Sequence, residues 1–240
     1  MLIPATQQKE RIARKRDTLL KFLASEGFSS LPILAEVLQL GKPATCKTLQ
    51  QLTKLDMVSS QDVPAGAGML KVYFLTPHGR AMAADPDQIN QDWKDVEVSR
   101  IAASTIGHAL DCQRLRLTLE ASGWADWKTD RQLHAMQLPK IPDGLASTPN
   151  GQLAAVEVER TIKTKKRYQA ILAEYILMIN RQQIAQVHYF CPAAGVAERV
   201  EKIFKSIDHI VVKGNRLTVQ PQWLDRFYFQ PFPTKKGASA

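Results

Sequence analysis

The apolar positions of the first 84 residues recur with a helical period and then give way to short β-prone runs. Ile12, Leu19, Phe22 and Leu23 mark one face of a first helix, which Gly27 stops. A second helix starts at Ser30, a capping residue type, with Pro32 in its first turn and Ile33, Leu34, Val37 and Leu38 on one side. Gly41-Lys42-Pro43 breaks that pattern. A third helix follows from about Ala44, with Leu49, Leu52 and Leu55 as its buried stripe. Two strands, Val58 to Val63 and Lys71 to Thr76, flank Pro64-Ala65-Gly66-Ala67-Gly68, a glycine-rich hairpin tip. Helix, helix, short turn, helix and β-wing is the order of a winged helix-turn-helix, expected over residues 1–84. The N-terminal residues of the third helix in such a unit enter the DNA major groove. They are Ala44, Thr45, Lys47 and Thr48, with Gln51 one turn on.

The pattern changes after residue 84. Residues 85–95 are polar, acidic and poor in core-forming side chains, which predicts a linker. From Val96 to Glu120 a long helix is expected, with Ile101, Ile106, Leu110, Leu117 and Leu119 as apolar positions. Trp124 to Lys128 reads as a short strand. Pro142 to Ser147 and Leu153 to Thr161 read as paired strands around Thr148-Pro149-Asn150-Gly151, because Asn-Gly between apolar runs signals a hairpin. Lys165 to Arg181 is an amphipathic helix, Gln186 to Cys191 a strand and Ala197 to Ser206 a helix. Ile210 to Lys213 and Leu217 to Gln220 are strands around Gly214-Asn215. The expected fold class is α/β (α+β): a winged helix followed by a mixed-sheet domain over 96–232, with a flexible tail at 233–240.

Composition and charge narrow the function. Lys and Arg number 32 against 23 Asp and Glu, a net charge of +9, with a pI near 9.5. An excess of this sign favours a polyanionic partner. No run is apolar enough to span a membrane, and the start carries no hydrophobic leader, so a cytoplasmic protein is expected. Cys46, Cys112 and Cys191 are far apart and have no metal-site spacing. The histidines His108, His134, His188 and His209 also lack ligand spacing, and zinc is not expected. His108 and Asp111, one helical turn apart, read as a pair. Arg11, Arg14, Lys15 and Arg16 add a basic run to the first helix, and Lys71 in the wing is placed to touch phosphate. Trp124 and Trp127 read chiefly as packing residues, with stacking on exposed bases as the alternative.

The segment richest in chemistry is Pro142-Asp143-Gly144 followed across the hairpin by Glu157-Val158-Glu159. Side chains at i and i+2 on a strand share a face, so Glu157 and Glu159 point the same way, and strand pairing lets Asp143 join them. Converging carboxylates repel one another unless a hard divalent cation, Mg²⁺ or Mn²⁺, neutralises them. Such an ion polarises a phosphodiester and lowers the pKa of an attacking water. Arg160, Lys163, Lys165, Lys166 and Arg167 follow at once, cations suited to a phosphate and its transition-state charge. The bland alternative is that Pro-Asp-Gly is an ordinary turn and Glu-Val-Glu an ordinary surface strand.

This pattern resembles the PD-(D/E)XK nuclease superfamily, whose lysine normally stands two residues after the second acid. Glu159 occupies that position here, so either Lys163 or Lys165 takes over the lysine's role or Glu159 acts on the water itself. The whole arrangement is similar to the replication-relaxation family, and within it to plasmid mobilisation relaxases of the MOBC class. It comprises a winged helix, a helix with His108, Trp127-x-x-Asp130, Pro-Asp-Gly, Glu-x-Glu-Arg-Thr and a basic helix with Tyr168 and Tyr175. The resemblance implies metal-dependent nicking of one DNA strand at a plasmid transfer origin, with other mobilisation proteins as partners. It implies Asp143, Glu157 and Glu159 as metal ligands, with Glu120 joining by analogy of fold. Lys163 and Lys165 would hold phosphate; a covalent link would fall to Tyr168 ahead of Tyr175, while attack by metal-bound water needs neither tyrosine. Thr45, Lys47, Thr48, Gln51, Arg14, Lys71, Lys166 and Arg167 are the expected DNA contacts. The rival readings are a non-catalytic DNA-binding accessory protein of replication or mobilisation, and a transcriptional repressor.

Overall fold

A computed structural model describes residues 4–65, 68–84, 98 and 101–233. The chain forms two compact units, Met1–Arg114 and Leu115–Ala240. The expected linker lies wholly outside the described residues, as do the centre of the wing tip and nearly all of the tail.

The first unit builds on helix α1 (Ala5–Glu26), strand β1 (Phe28–Ser30), helices α2 (Leu31–Val37) and α3 (Lys42–Lys54), the hairpin β2 (Val58–Ala65) and β3 (Gly68–Leu75), and helix α4 (Pro77–Ala83). The strands form an antiparallel sheet in the order β1-β3-β2. That is a winged helix-turn-helix. Leu19, Leu20, Leu23, Ile33, Leu34, Leu49, Leu52 and Val72 are each nearly excluded from solvent and make its core. Two stripe residues do not join it: Ile12 is 54% and Leu55 56% exposed. Ile12 lies in the first half of α1, where no described side chain from Thr6 to Thr18 is buried. Leu55 follows the last residue of α3, where the chain turns into β2.

Helix α5 runs from Ala103 to Glu120, not from Val96. Gln113 ties it to β1: the Ser29 hydroxyl donates to Gln113 Oε1 at 2.7 Å, and Gln113 Nε2 donates to the Phe28 carbonyl at 2.7 Å. All three groups are buried, and their mutual hydrogen bonds remove the cost of burying them.

The second unit is built on a five-stranded sheet. Its strands are β4 (Ala125–Thr129), β5 (Gly144–Ser147), β6 (Leu153–Val158), β7 (Gln186–Cys191) and β10 (Phe227–Pro231), in the order β10-β7-β6-β5-β4. Pairs β4/β5 and β5/β6 are antiparallel, whereas β6/β7 and β7/β10 are parallel. The sheet is therefore mixed, as expected. Gly151, at φ 77°, makes the β5–β6 turn in a region that side chains rarely adopt. Helix α6 (Asp130–Leu133) follows β4, α7 (Lys165–Asn180) crosses from β6 to β7, and α8 (Val196–Lys205) follows β7. A separate hairpin, β8 (His209–Val212) and β9 (Asn215–Thr218), precedes the short helix α9 (Pro221–Leu224). The core joins Tyr168, Leu172, Tyr175 and Ile176 of α7 and Phe204 of α8 to Ala155, Val187, Tyr189 and Phe227 of one sheet face.

Candidate functional site

The acids arrive as the strand pattern requires. Glu157 sits in β6 opposite Tyr189 of β7, and Glu159 follows the strand end, its N–H donating to the Phe190 carbonyl at 3.0 Å. Both face α7, whose tyrosines meet them. The Tyr175 hydroxyl donates to Glu157, and the Tyr168 hydroxyl lies beside Glu159. A seven-residue step along the helix thus matches a two-residue step along the strand. Each carboxylate also has its own lysine. Lys140 Nζ lies 2.6 Å from Glu157 Oε1 and 5.4 Å above the Tyr175 ring. Lys163 pairs with Glu159 and sits 5.9 Å above the Tyr168 ring.

Asp143 enters from the other strand. It immediately precedes β5, and its Oδ2 accepts the Val158 N–H at 2.7 Å. That bond lays the Asp143 carboxylate beside Glu157. A close approach secures the corner: a Cβ on Gly144 would stand 2.4 Å from Cζ2 of Trp127, so only glycine lets the Trp127 ring of β4 cover this turn. Trp127 is a packing residue. Trp124 is one as well, edge-on to His188 at 5.0 Å and to Phe190 at 6.5 Å.

Burial sets the electrostatics of Glu157. Burial pushes the Glu157 carboxyl above its ordinary value and the charge of Asp143 raises it further, against the opposing help of Lys140 and Tyr175. Burial likewise raises the hydroxyls of Tyr168, Tyr175 and Tyr189, with the neighbouring carboxylates adding to it. Burial also pushes the Cys191 thiol up to about 11, so it is an inert core group. The Tyr189 hydroxyl is buried without a hydrogen-bond partner and feels both glutamates.

Several expected roles do not survive this geometry. Asp143, Glu157 and Glu159 do not converge as a triad: no three acids of this set, Glu120 included, bring oxygens within 4.8 Å of one another. Glu159 is 3% exposed and engaged by Lys163. Glu120 pairs with Arg116 at 2.8 Å on its own helix. Tyr168 is fully buried and its oxygen accepts the Lys163 N–H at 3.1 Å, so it cannot reach a DNA strand as a nucleophile. The Lys165 ammonium is bonded to the Ser206 carbonyl, away from the acids. The residue that sequence reasoning missed is Lys140. Its signal was a lysine three places before Asp143, in Pro139-Lys140-Ile141-Pro142, where two prolines stiffen the approach.

Of the expected metal ligands, Asp143 and Glu157 are the two whose carboxylates lie near enough for the charge of one to raise the other. Two adjacent carboxylates whose charges oppose each other are a donor set that Mg²⁺ or Mn²⁺ accepts, with waters and phosphate oxygens completing the shell. Glu159 and Glu120 do not fit that role.

The winged helix offers a second surface. Along α3, Lys42, Lys47, Gln50, Gln51 and Lys54 are exposed, and Lys71 is exposed on the wing. Arg14 is exposed on α1. Thr45 is not available to DNA: its side chain is wholly buried and its hydroxyl donates to the Gly41 carbonyl at 3.2 Å. Thr48 is half-buried and donates to the Ala44 carbonyl at 3.1 Å. Lys166 and Arg167 are exposed on the first turn of α7. The His108 ring lies 3.6 Å from the Cys112 sulfur, and Asp111 carries an ion pair with Arg114.

Fold and site together define a two-unit protein: a winged helix and a mixed-sheet unit with an acid-and-lysine corner. The chain belongs to the replication-relaxation family, whose model matches residues 20–200. Two solved structures are similar to part of it. Lactococcus lactis ZitR, in a mutant apo form, is 23% identical with a TM-score of 0.27, over 32% of this chain and 58% of that one. A MarR family transcriptional regulator from Silicibacter pomeroyi DSS is 15% identical with a TM-score of 0.31, over 49% of this chain and 78% of that one. This chain thus spans little more than half the ZitR chain. No curated protein matches it. Among the described residues, no helix is long and apolar enough to cross a membrane.

Proposed function

We propose that this protein binds a DNA site through its winged helix and nicks one strand there with the second unit, as a relaxase of plasmid mobilisation would. The observation that carries the reading is the Asp143–Glu157 pair with Lys140 against it, in a chain of the replication-relaxation family. Asp143 and Glu157 would hold Mg²⁺ or Mn²⁺. The ion, when bound, polarises the phosphodiester and eases deprotonation of water. Water attacks phosphorus, the bond to the leaving oxygen breaks, and a proton ends on that oxygen. The chain's part is positional. The Val158 N–H orients Asp143, and the Tyr175 hydroxyl orients Glu157. A hydrolytic route suits the burial of Tyr168 and Tyr175, which are both inaccessible to a DNA strand.

The test is relaxation of a supercoiled plasmid carrying a candidate transfer origin, with Mg²⁺, Mn²⁺ or EDTA, stopped with and without protease. Metal-dependent open circles that need no protease are expected. Asp143→Ala should keep DNA binding and abolish nicking. Normal nicking by that variant would remove Asp143 from the site. Retarded DNA mobility with no nicking under any metal would favour a DNA-binding accessory protein instead.

A further inference from the structure

We infer that Lys140 is the phosphate-facing lysine of the nicking site, contributed from the segment before the first acid because Glu159 fills the position where the superfamily's lysine normally stands. The inference rests on the nuclease reading above and assigns a residue to it.

Three lysines compete for the role. Lys165 is committed to the Ser206 carbonyl. Lys163 is committed to Glu159, which stands outside the Asp143–Glu157 pair. Lys140 meets a carboxylate of that pair, Glu157, at 2.6 Å. Its position is well determined: the ammonium also donates to the Ile141 carbonyl at 3.2 Å and lies over the Tyr175 ring. The flanking segment is anchored, with Leu138 and Ile141 packed on the core. Lysine carries three N–H donors. Glu157 and Ile141 take two, and the third is left for an oxygen of the bound phosphate. The side chain keeps 16% of its surface exposed, enough for one face to meet a ligand while its stem stays held. A fixed cation in a largely dehydrated corner needs little reorganisation as charge builds on the phosphoryl oxygens.

The experiment compares wild type with Lys140→Ala and Lys140→Arg in two readouts. The first is single-turnover nicking of a supercoiled plasmid carrying a candidate transfer origin. Loss of one preorganised donor should slow Lys140→Ala roughly 10²- to 10³-fold, and Lys140→Arg should recover part of that loss. The second is binding of a duplex oligonucleotide from that origin in EDTA at several salt concentrations. Losing one phosphate contact should make the log–log slope of affinity against salt shallower by about one. If Asp143→Ala abolishes nicking but Lys140→Ala nicks within about threefold of wild type, the assignment of Lys140 is overturned and the nuclease reading stands. If wild type does not nick with any metal, the nuclease reading fails, and an unchanged salt slope then overturns the phosphate contact as well. Should Lys140→Ala unfold because it strands Glu157, the slope is compared between Glu157→Gln and the double variant Lys140→Gln/Glu157→Gln. There too a shallower slope in the double variant supports the assignment, and equal slopes overturn it.

Discussion

His188 shows how a single buried side chain sets a pH response. It lies in β7 with its Nδ1 bonded to Gln230 at 3.0 Å, its ring stacked on Tyr228 at 4.6 Å and its Nε2 without a hydrogen-bond partner. Burial pushes its pKa from 6.5 down to about 4. The folded state therefore binds this proton less readily than the unfolded chain does. Stability from this group is fully present above pH 6.5 and is lost as pH falls towards about 4, where it levels off. At about 1.4 kcal/mol per pKa unit, the loss is on the order of 3 kcal/mol. Between pH 7 and 4 the melting temperature of wild type should fall more steeply than that of His188→Phe; parallel curves would contradict this. Gly144 is the second residue-scale case. Gly144→Ala drives a methyl group into Trp127 and should cost roughly 1–3 kcal/mol, read by denaturant unfolding. Nicking should fall with it, because Asp143 is the preceding residue.

At the scale of elements, α7 carries the site by its register against β6. Its first turn is capped by Thr164, whose hydroxyl accepts the Arg167 N–H at 3.3 Å. Its buried face holds Tyr168 and Tyr175 over the two glutamates. Thr164→Ala should lower stability by about 1 kcal/mol, the usual worth of such a cap, with little change in nicking once the protein is folded. A large loss of nicking at full folding would mean that the cap has a role in the site. Helix α3 works the opposite way: its buried face secures the first unit, and its outer lysines are left for solvent or DNA.

For the whole molecule, the proposed function assigns DNA binding to the winged helix and strand nicking to the second unit. Lys47→Ala/Lys71→Ala should weaken DNA binding severalfold and reduce nicking at low protein concentration. Raising the protein concentration should restore nicking in that variant and not in Asp143→Ala. Titrating both variants against one plasmid checks this; failure of excess protein to rescue the double variant would tie the wing to the chemical step. The net charge of +9 predicts that affinity falls steeply with salt, because phosphate contacts release counterions.

The sequence by itself determined the elements whose signals are local. Helical periodicity located α1, α2, α3 and α7, the Asn150-Gly151 turn located the β5–β6 hairpin, and the alternation of β6 put Glu157 and Glu159 on one face. Elements made by distant pairing stayed hidden. Strand β1 is three residues held by β3, β10 exists through its parallel pairing with β7, and the short helices α4, α6 and α9 are too brief to show a period. The beginning of α5 was placed too early, because apolar spacing does not say where helical hydrogen bonding begins. At the site, residue types were legible but partnerships were not. Which lysine meets which acid, that Tyr168 and Tyr175 serve as buried supports, and that Thr45 faces the core all follow from how α3, α7 and the sheet pack. Only the tertiary structure decides such matters, since an ion pair or a buried hydroxyl depends on distances between segments remote in the chain, and local periodicity carries no information about them.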